Sequence, residues 1–255
     1  MPIQLSEKQQ EIKNNFINNR GYWTEALERL LRLDPNFFET YATFILTPWK
    51  TGVLESKVKE LVSIAINSSS THLYEDGVRA HVRNALKHGA TKEEIMEVFE
   101  LTSAIGMHTP ALGVPILIEE LGRDIEPLSE KQMQLKKQFI DEMGYWNEFR
   151  EHLVSINDAY FEAYLELLTY PWRNGVLESK VKEFIYIAID SSTTHLYKLG
   201  LRTHVRRALK FGASMEEIME IYELTSAQGL QTVEMGATIL FEELGRDRKL
   251  QKNNC

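Results

Sequence analysis

Apolar residues recur at the three- and four-residue spacing of amphipathic helices along most of the chain. One clear series is Leu54, Val58, Leu61, Ile64 and Ala65. This spacing predicts a helix with one face in the core. We find no segment with the alternating pattern of a half-buried strand, so the predicted fold class is all-α.

Polar residues mark where the predicted helices begin and end. A Ser or Thr followed three residues later by Gln or Glu forms a capping box, in which each residue satisfies a free backbone amide of the first turn. Four such boxes are present, at Ser6/Gln9, Thr91/Glu94, Ser129/Gln132 and Ser214/Glu217. Glycines predict helix ends, because they adopt the left-handed conformation without strain. Those glycines are Gly89, Gly122 and Gly245.

The whole pattern occurs twice. The segment from Leu5 to Asp124 realigns with the segment from Leu128 to Asp247 at a constant offset of 123 residues. A fixed period of this kind indicates an internal duplication. We therefore predict two tandem helical domains, residues 1–124 and residues 125–255.

Composition limits the function classes. The chain is 43% hydrophobic and 26% charged with a formal net charge of −8, and the sequence shows no uninterrupted apolar run near the roughly 20 residues of a membrane span. Neither nucleic acid nor an anionic membrane is an expected partner; a small molecule or another protein is. The first residues lack the pattern of a secretory signal, so the default location is cytoplasmic. The single cysteine, Cys255, excludes an intrachain disulfide.

Three polar residues persist in both copies while their neighbours change. They are Glu60, His72 and His81, repeated as Glu183, His195 and His204. A carboxylate on a core helix needs a partner, and imidazole exchanges protons near neutral pH. The set is therefore a candidate acid–base site. The alternative is structural, with His81 a satisfied core histidine and Glu60 paired with a lysine.

Further residues are candidates for holding a substrate. Tyr74 and Arg79, with their copies Tyr197 and Arg202, offer a phenol donor and a cation suited to a carboxylate. His108 becomes Gln231 in the second copy, which raises the hypothesis that only one half is catalytic. The alternative for Arg79 and Arg202 is a solvated side chain. The alternative for His108 and Gln231 is a solvent-facing position at a helix end. The recurring aromatic clusters are interpreted mainly as core.

The sequence lacks several patterns that specify other chemistry. It has no Gly-rich phosphate loop, no G-x-S-x-G elbow and no HExxH. The nine-residue step from His72 to His81 does not specify a metal. The sequence therefore predicts neither a metal nor an organic cofactor.

Several motifs resemble the carboxymuconolactone decarboxylase family, which also contains the alkylhydroperoxidase-D-like proteins. The most specific is H-V-R-x-A-L-x-x-G-A-[ST]-x-E-E-I, which begins at His81 and again at His204. The resemblance covers residues 54–121 and 177–244. It implies a compact all-α fold that assembles into oligomers, and for a tandem chain a trimer with six pseudo-equivalent domains.

The resemblance also implies alternatives for the activity. The peroxidase branch of the family uses a Cys-x-x-Cys pair that this chain lacks. The decarboxylase branch acts on a carboxylated lactone without a cofactor. The leading expectation is such a lyase, with His81 as proton donor, Glu60 orienting it, and His72, Tyr74 or Arg79 holding substrate. The second copies would act in the same way. The main alternative is a non-catalytic helical binding or assembly protein.

Overall fold

The computed structural model describes residues 4–122 and 126–253, and this part of the chain is helical without any strand. The prediction of an all-α fold is therefore confirmed. Two 3₁₀ turns, Ala104–Met107 and Ala227–Leu230, precede α7 and α14. The α-helices are α1 Glu7–Arg20, α2 Glu25–Leu33, α3 Pro35–Thr51, α4 Ser56–Ser68, α5 Glu75–Lys87, α6 Lys92–Ser103, α7 His108–Leu121, α8 Glu130–Met143, α9 Glu148–Ile156, α10 Asp158–Asn174, α11 Ser179–Ser191, α12 Lys198–Lys210, α13 Met215–Ser226 and α14 Gln231–Asn253.

The four predicted capping boxes are present. In each, the Ser or Thr side chain accepts a hydrogen bond from the backbone amide of the third helical residue. The Gln or Glu side chain accepts one from the backbone amide of the Ser or Thr. Gly122 ends α7 in the left-handed conformation, as predicted. The predicted stop at Gly245 is wrong, because α14 continues to Asn253. A helix tolerates an interior glycine at a cost of about 1 kcal/mol, and the residues after Gly245 are mostly good helix formers.

Helices α4 and α11 form the centre of the molecule. Residues 59–67 of α4 and residues 181–190 of α11 are buried along their whole length. The two helices pack against each other, so Leu61 and Ile64 share one apolar cluster with Ile185 and Ile189. The core is therefore continuous across the two repeats.

The last helix of each repeat packs on the other repeat. Helix α7 lies against α9, and α14 lies against α2. Ala111 of α7 joins the cluster around Phe139, and Ala237 of α14 joins the cluster around Phe16. The predicted boundary between Asp124 and Ile125 lies outside the described residues. In the described residues on either side of this boundary, each repeat packs its last helix on the other repeat.

Buried ion pairs also join the repeats. Lys59 of α4 pairs with Glu220 of α13 at 2.6 Å, and Lys182 of α11 pairs with Glu97 of α6 at 2.7 Å. Glu220 also accepts hydrogen bonds from the backbone amides of Val53 and Leu54. Glu97 does the same for the amides of residues 176 and 177. Each carboxylate thus holds the start of the other repeat's central helix.

One helical stretch, Lys92–Leu121, is long and apolar enough to cross a membrane by length and composition alone. Residues 101–118 contain no Asp, Glu, Lys or Arg. They do not form an uninterrupted apolar run, because polar uncharged residues are interspersed. The stretch is α6, the 3₁₀ turn and α7, and it packs on α11 and α9. Helices of soluble proteins pass the same test, so this is weak evidence for a span.

Candidate functional site

Two pockets related by the duplication lie between the repeats. The first pocket surrounds His81 and is completed by residues of the second repeat, among them Gln231 and Glu234. The second pocket surrounds His204 and is completed by His108 and Ala111 of the first repeat. Their volumes are about 530 and 580 Å³, open mouths included. The packing of α14 and α7 across the repeats is what builds both pockets.

Each pocket contains a buried Glu–His pair. His81 Nδ1 lies 2.6 Å from Glu60 Oε2, and His204 Nδ1 lies 2.7 Å from Glu183 Oε2. Both carboxylates are fully buried, on α4 and α11, and the histidines come from the neighbouring helices α5 and α12. Because Nδ1 is bound to a carboxylate, Nε2 is the atom that can exchange a proton with a ligand.

A different cation neutralises the carboxylate in each pocket. Arg20 of α1 contacts Glu60 Oε1 at 3.2 Å, and the amide of Asn84 contacts the same oxygen at 3.2 Å. In the second repeat Arg207, at the position of Asn84, contacts Glu183 at 2.5 Å. Burial would raise the pKa of Glu60, but the hydrogen bond and charge of His81 and the charge of Arg20 lower it below its usual value. Glu60 is therefore ionised near neutral pH.

The second pocket holds a buried arginine without a carboxylate. Arg150 of α9 donates from Nε and Nη2 to the hydroxyl of Tyr164, at 3.2 and 2.7 Å, and from Nη2 to Tyr145 at 3.2 Å. It is 7% exposed and packs on aromatic rings, Phe139 and Phe149 among them. In the described part of the chain no carboxylate pairs with it and its Nη1 makes no hydrogen bond. A buried cation in this state suits an anionic ligand.

The first pocket has different ionisable residues at the corresponding positions. Leu27 stands at the position of Arg150, and Glu234 stands at the position of Ala111. Glu234 accepts hydrogen bonds from the hydroxyls of Tyr41 at 2.5 Å and Tyr74 at 3.4 Å. Burial raises the pKa of Glu234, against the opposing effect of these two bonds. This pocket therefore has an additional carboxyl group, and an apolar side chain stands where the second pocket has Arg150.

A second cluster differs in the same way. In the first pocket His72 Nε2 donates to Gln231 Oε1, Gln231 Nε2 donates to Asn67 Oδ1 at 2.8 Å, and Asn67 Nδ2 donates to the carbonyl of Ser63 at 2.8 Å. This chain gives each of the two side-chain amides a donor and an acceptor partner. The equivalent residues in the second repeat carry no side-chain amide.

In the second repeat, the residues equivalent to His72, Gln231 and Asn67 are His195, His108 and Asp190. His108 Nδ1 lies 2.5 Å from His195 Nε2, and its ring stacks on Tyr197 at 3.9 Å between centroids. His108 Nε2 lies 3.7 Å from Asp190 Oδ1. Burial lowers the pKa of His108 to about 3 and raises the pKa of Asp190 to about 8. Burial also lowers the pKa of His195, so both imidazoles are neutral at pH 7.

The predicted site residues divide into two groups. The Glu–His pairs, the loop histidines, Tyr74, Tyr197 and His108 lie in or beside the pockets. Arg79 instead pairs with Glu75 on the exposed face of α5, and Arg202 is exposed on α12. Neither arginine lines a pocket. The structure thus brings together the predicted acid–base residues but not the predicted cations.

Sequence comparison of the repeats identified the His108/Gln231 difference but missed three other residues that distinguish the pockets. Arg150, Asp190 and Glu234 have no counterpart of the same type in the other repeat, so the persistence of polar residues in both copies does not indicate them. The signal that could have found them is a charge gained at a helical position that is apolar or neutral in the copy.

Comparison with known proteins agrees with the fold. The model of the carboxymuconolactone decarboxylase family matches residues 35–109 and 158–243. A crystal structure from Burkholderia xenovorans LB400, of a proposed gamma-carboxymuconolactone decarboxylase subunit, superimposes with a TM-score of 0.90 at 40% sequence identity. The match covers 94% of this chain and 98% of that one. No curated protein shows significant similarity. The chain therefore belongs to the carboxymuconolactone decarboxylase family.

Proposed function

We propose that the protein is a lyase that decarboxylates a small carboxylated lactone or a related cyclic acid, and that the reaction takes place in the second pocket. The observation that carries the proposal is the buried Arg150, which has no carboxylate partner among the described residues and lies in the same pocket as the Glu183–His204 pair. A cation and an acid–base pair in one cavity are what a decarboxylase of an anionic substrate needs.

Arg150 would hold the substrate through a carboxylate or the lactone oxygen. Its hydrogen bonds to Tyr164 and Tyr145 fix the guanidinium plane and leave Nη1 for the ligand. A buried guanidinium without an anion is costly, and pairing with the substrate offsets that cost. Binding energy is therefore concentrated on an acidic ligand.

His204 would supply the proton. When the bond to the carboxylate carbon breaks, CO₂ leaves and its bonding electrons move into the ring, where the lactone carbonyl holds them as an enolate. The Nε2 proton of His204 then protonates the ring carbon, and solvent restores the proton to the imidazole. Glu183, bound to Nδ1 at 2.7 Å, orients the ring and stabilises its charged form.

The first pocket has the same Glu–His pair but no counterpart of Arg150, since its arginine, Arg20, is paired with Glu60. Glu234 and Leu27 take the places of Ala111 and Arg150, so an acidic substrate would meet an additional carboxyl group and would lack an arginine that is not already paired with a carboxylate. We therefore assign the reaction to one pocket per chain. The first pocket therefore serves as an internal control for the function of the second pocket.

A thermal-shift screen with carboxylated lactones and related ring-cleavage acids tests the assignment, because a ligand that binds the folded state raises its stability. We expect the wild type to show a shift, and CO₂ release with the ligand that gives it. Arg150→Leu, which copies the native Leu27, should abolish the shift. His204→Gln should keep binding and lose at least about a hundredfold in turnover, the size of a general acid–base contribution.

The matched control is His81→Gln, which makes the same change in the first pocket. It should bind and turn over as the wild type does. Equal losses in the His81 and His204 variants would contradict the assignment to one pocket. A wild type that no acid stabilises would overturn the proposal and favour the non-catalytic binding or assembly protein.

We also propose that the chain self-associates, as the family resemblance implies. Helix α7 exposes Leu112, Ile116, Leu117 and Leu121, and α14 exposes Met235, Ile239, Leu240 and Leu244. Each set forms an apolar strip at helical spacing, related by the duplication. Strips of this kind on a folded monomer are typical of interaction surfaces.

A further inference from the structure

We propose that His108, His195 and Asp190 bind a divalent transition-metal ion, such as Zn²⁺, at the edge of the second pocket. The inference does not depend on the decarboxylase proposal. It rests on the positions of the three side chains, on an unpartnered carboxylate oxygen, and on a comparison with the first repeat.

The three side chains converge from different parts of the chain. His108 begins α7, Asp190 lies near the end of α11, and His195 lies in the loop that follows. One possible ligand atom from each lies within 4.8 Å of the others. Zinc bonds of 2.0–2.2 Å in a tetrahedral arrangement separate ligand atoms by about 3.5 Å. The present contacts lie on either side of that value: His108 Nδ1 is 2.5 Å from His195 Nε2, and His108 Nε2 is 3.7 Å from Asp190 Oδ1, so the His108 ring would have to turn to present one nitrogen to the ion.

Asp190 lacks the partners that a buried carboxylate needs. Its side chain is 1% exposed, and Oδ2 has no hydrogen bond within the described chain. The neighbouring atoms do not supply one, since His204 Nε2 lies 4.0 Å away. Oδ2 lies against the Cα of Gly200, where an added Cβ would approach it to 2.2 Å. Gly200 lines the second pocket. Oδ2 is thus held against glycine as Asn67 Oδ1 is held against Gly77, but without the hydrogen bond that Asn67 Oδ1 accepts, and coordination of an ion by the carboxylate would offset the cost of its burial.

The first repeat shows what these positions do without a metal. There His72, Gln231 and Asn67 form a chain in which each donor has an acceptor. Both amides of that chain are replaced by good ligands in the second repeat, since Gln231 corresponds to His108 and Asn67 to Asp190. The replacements keep the contact between His195 and His108 but leave no hydrogen bond between His108 and Asp190, whose Nε2 and Oδ1 atoms are 3.7 Å apart. They place two imidazoles and a carboxylate together, which is the donor set of many zinc and non-haem iron sites.

The donor set also limits the ion. Two imidazole nitrogens favour Zn²⁺, Fe²⁺, Co²⁺ or Ni²⁺ over Mg²⁺ and Ca²⁺, which prefer oxygen ligands. Three protein ligands leave at least one coordination position open. Because His108 lines the second pocket, that open position would be accessible to a ligand within reach of Arg150.

Metal loading of the full chain, with any affinity tag removed, tests the inference. The protein is stripped with a chelator, dialysed against Zn²⁺ or Co²⁺, and analysed by elemental mass spectrometry. We expect about one ion per chain, and for Co²⁺ a visible absorption band from nitrogen coordination. The paired variant His108→Gln/Asp190→Asn copies the amides of the first repeat, whose packing shows that such a chain fits. It should lose at least about a hundredfold in affinity, since changes outside the ligand shell alone cost 10–100-fold.

Matched histidine variants separate the site from surface binding. His195→Gln should lose the ion, whereas His72→Gln, the same change in the first repeat, should retain it. A wild type without metal after loading would overturn the inference. So would a metal content that is equal in the wild type, the paired variant and His195→Gln. Both results would leave the decarboxylase proposal standing, because that proposal is tested by acid binding and by His204.

Discussion

Replacing Glu220 by Gln removes one charge of a buried ion pair that joins the two repeats. Lys59 is 3% exposed, and its ammonium group lies 2.6 Å from Glu220 Oε1 and 2.6 Å from the carbonyl of Pro48. The Gln side chain keeps an acceptor for the amides of Val53 and Leu54. The measured effect will therefore report mainly the loss of charge.

The expected loss in the free energy of unfolding is about 3–5 kcal/mol, because an uncompensated buried ammonium remains. This is a large part of the roughly 5–15 kcal/mol that stabilises a typical domain. Urea unfolding followed by circular dichroism measures it. The matched variant Glu97→Gln, which leaves Lys182 unpaired in the pseudo-equivalent position, should lose a similar amount.

A double variant, Lys59→Met/Glu220→Gln, removes both charges and keeps the acceptor. It should be more stable than Glu220→Gln alone, because no buried charge is left without a partner. A loss below about 1 kcal/mol in Glu220→Gln would refute this account of the interface. So would a double variant less stable than the single one.

Three further predictions concern stability and assembly. Gly52→Ala should destabilise the protein by about 3 kcal/mol in the same urea assay, because the new Cβ would lie 1.7 Å from Glu220 Oε1 and 2.3 Å from the carbonyl of Pro48; an unchanged midpoint would contradict this. Glu234→Gln should stabilise the protein progressively as pH rises above about 4.5: a raised pKa means that the folded state binds the proton more tightly, so the ionised carboxyl destabilises it at higher pH. Thermal melts of both proteins between pH 4 and 7 measure the difference, and a difference independent of pH would contradict the sign. Leu117→Asp on the exposed strip of α7 should dissociate the oligomer, which light scattering during gel filtration detects; a wild type with the mass of one chain would contradict self-association.

The sequence predicted the fold from local signals. Capping boxes and helical spacing depend on residues three or four positions apart, and the duplication provided a second copy of each signal. The same logic placed Glu60 and His81 together, since both lie on core-facing positions of adjacent helices. The Gly245 stop was wrong because nothing after that residue requires a turn.

The division of each pocket between repeats could not be predicted in this way. The contact of α7 with α9 and of α14 with α2 depends on the three-dimensional arrangement of the repeats. No periodicity encodes it. The surface positions of Arg79 and Arg202 depend on which turn of α5 and α12 faces the pocket, and the exposed pair of Arg79 with Glu75 shows that this turn faces outwards. Charged residues were therefore harder to place than apolar ones.

The differences between the two pockets are of two kinds, and the distinction bears on function. Arg20 with Asn84 in one repeat, and Met143 with Arg207 in the other, are compensated changes: each carboxylate keeps one arginine, supplied by α1 or by α12. Selection for a stable core explains such a pair, because a buried carboxylate requires a cation.

The changes at Leu27/Arg150 and Glu234/Ala111 are not compensated. They give one pocket a guanidinium with no carboxylate partner among the described residues and the other a carboxyl group bound to tyrosines. Burying Arg150 without an anion costs stability, and the structure shows no packing reason for that cost, since Leu27 fills the same position in an apolar cluster of the other repeat. A ligand that carries the missing negative charge supplies the reason. The search for the substrate therefore begins with small acids that fit the second pocket.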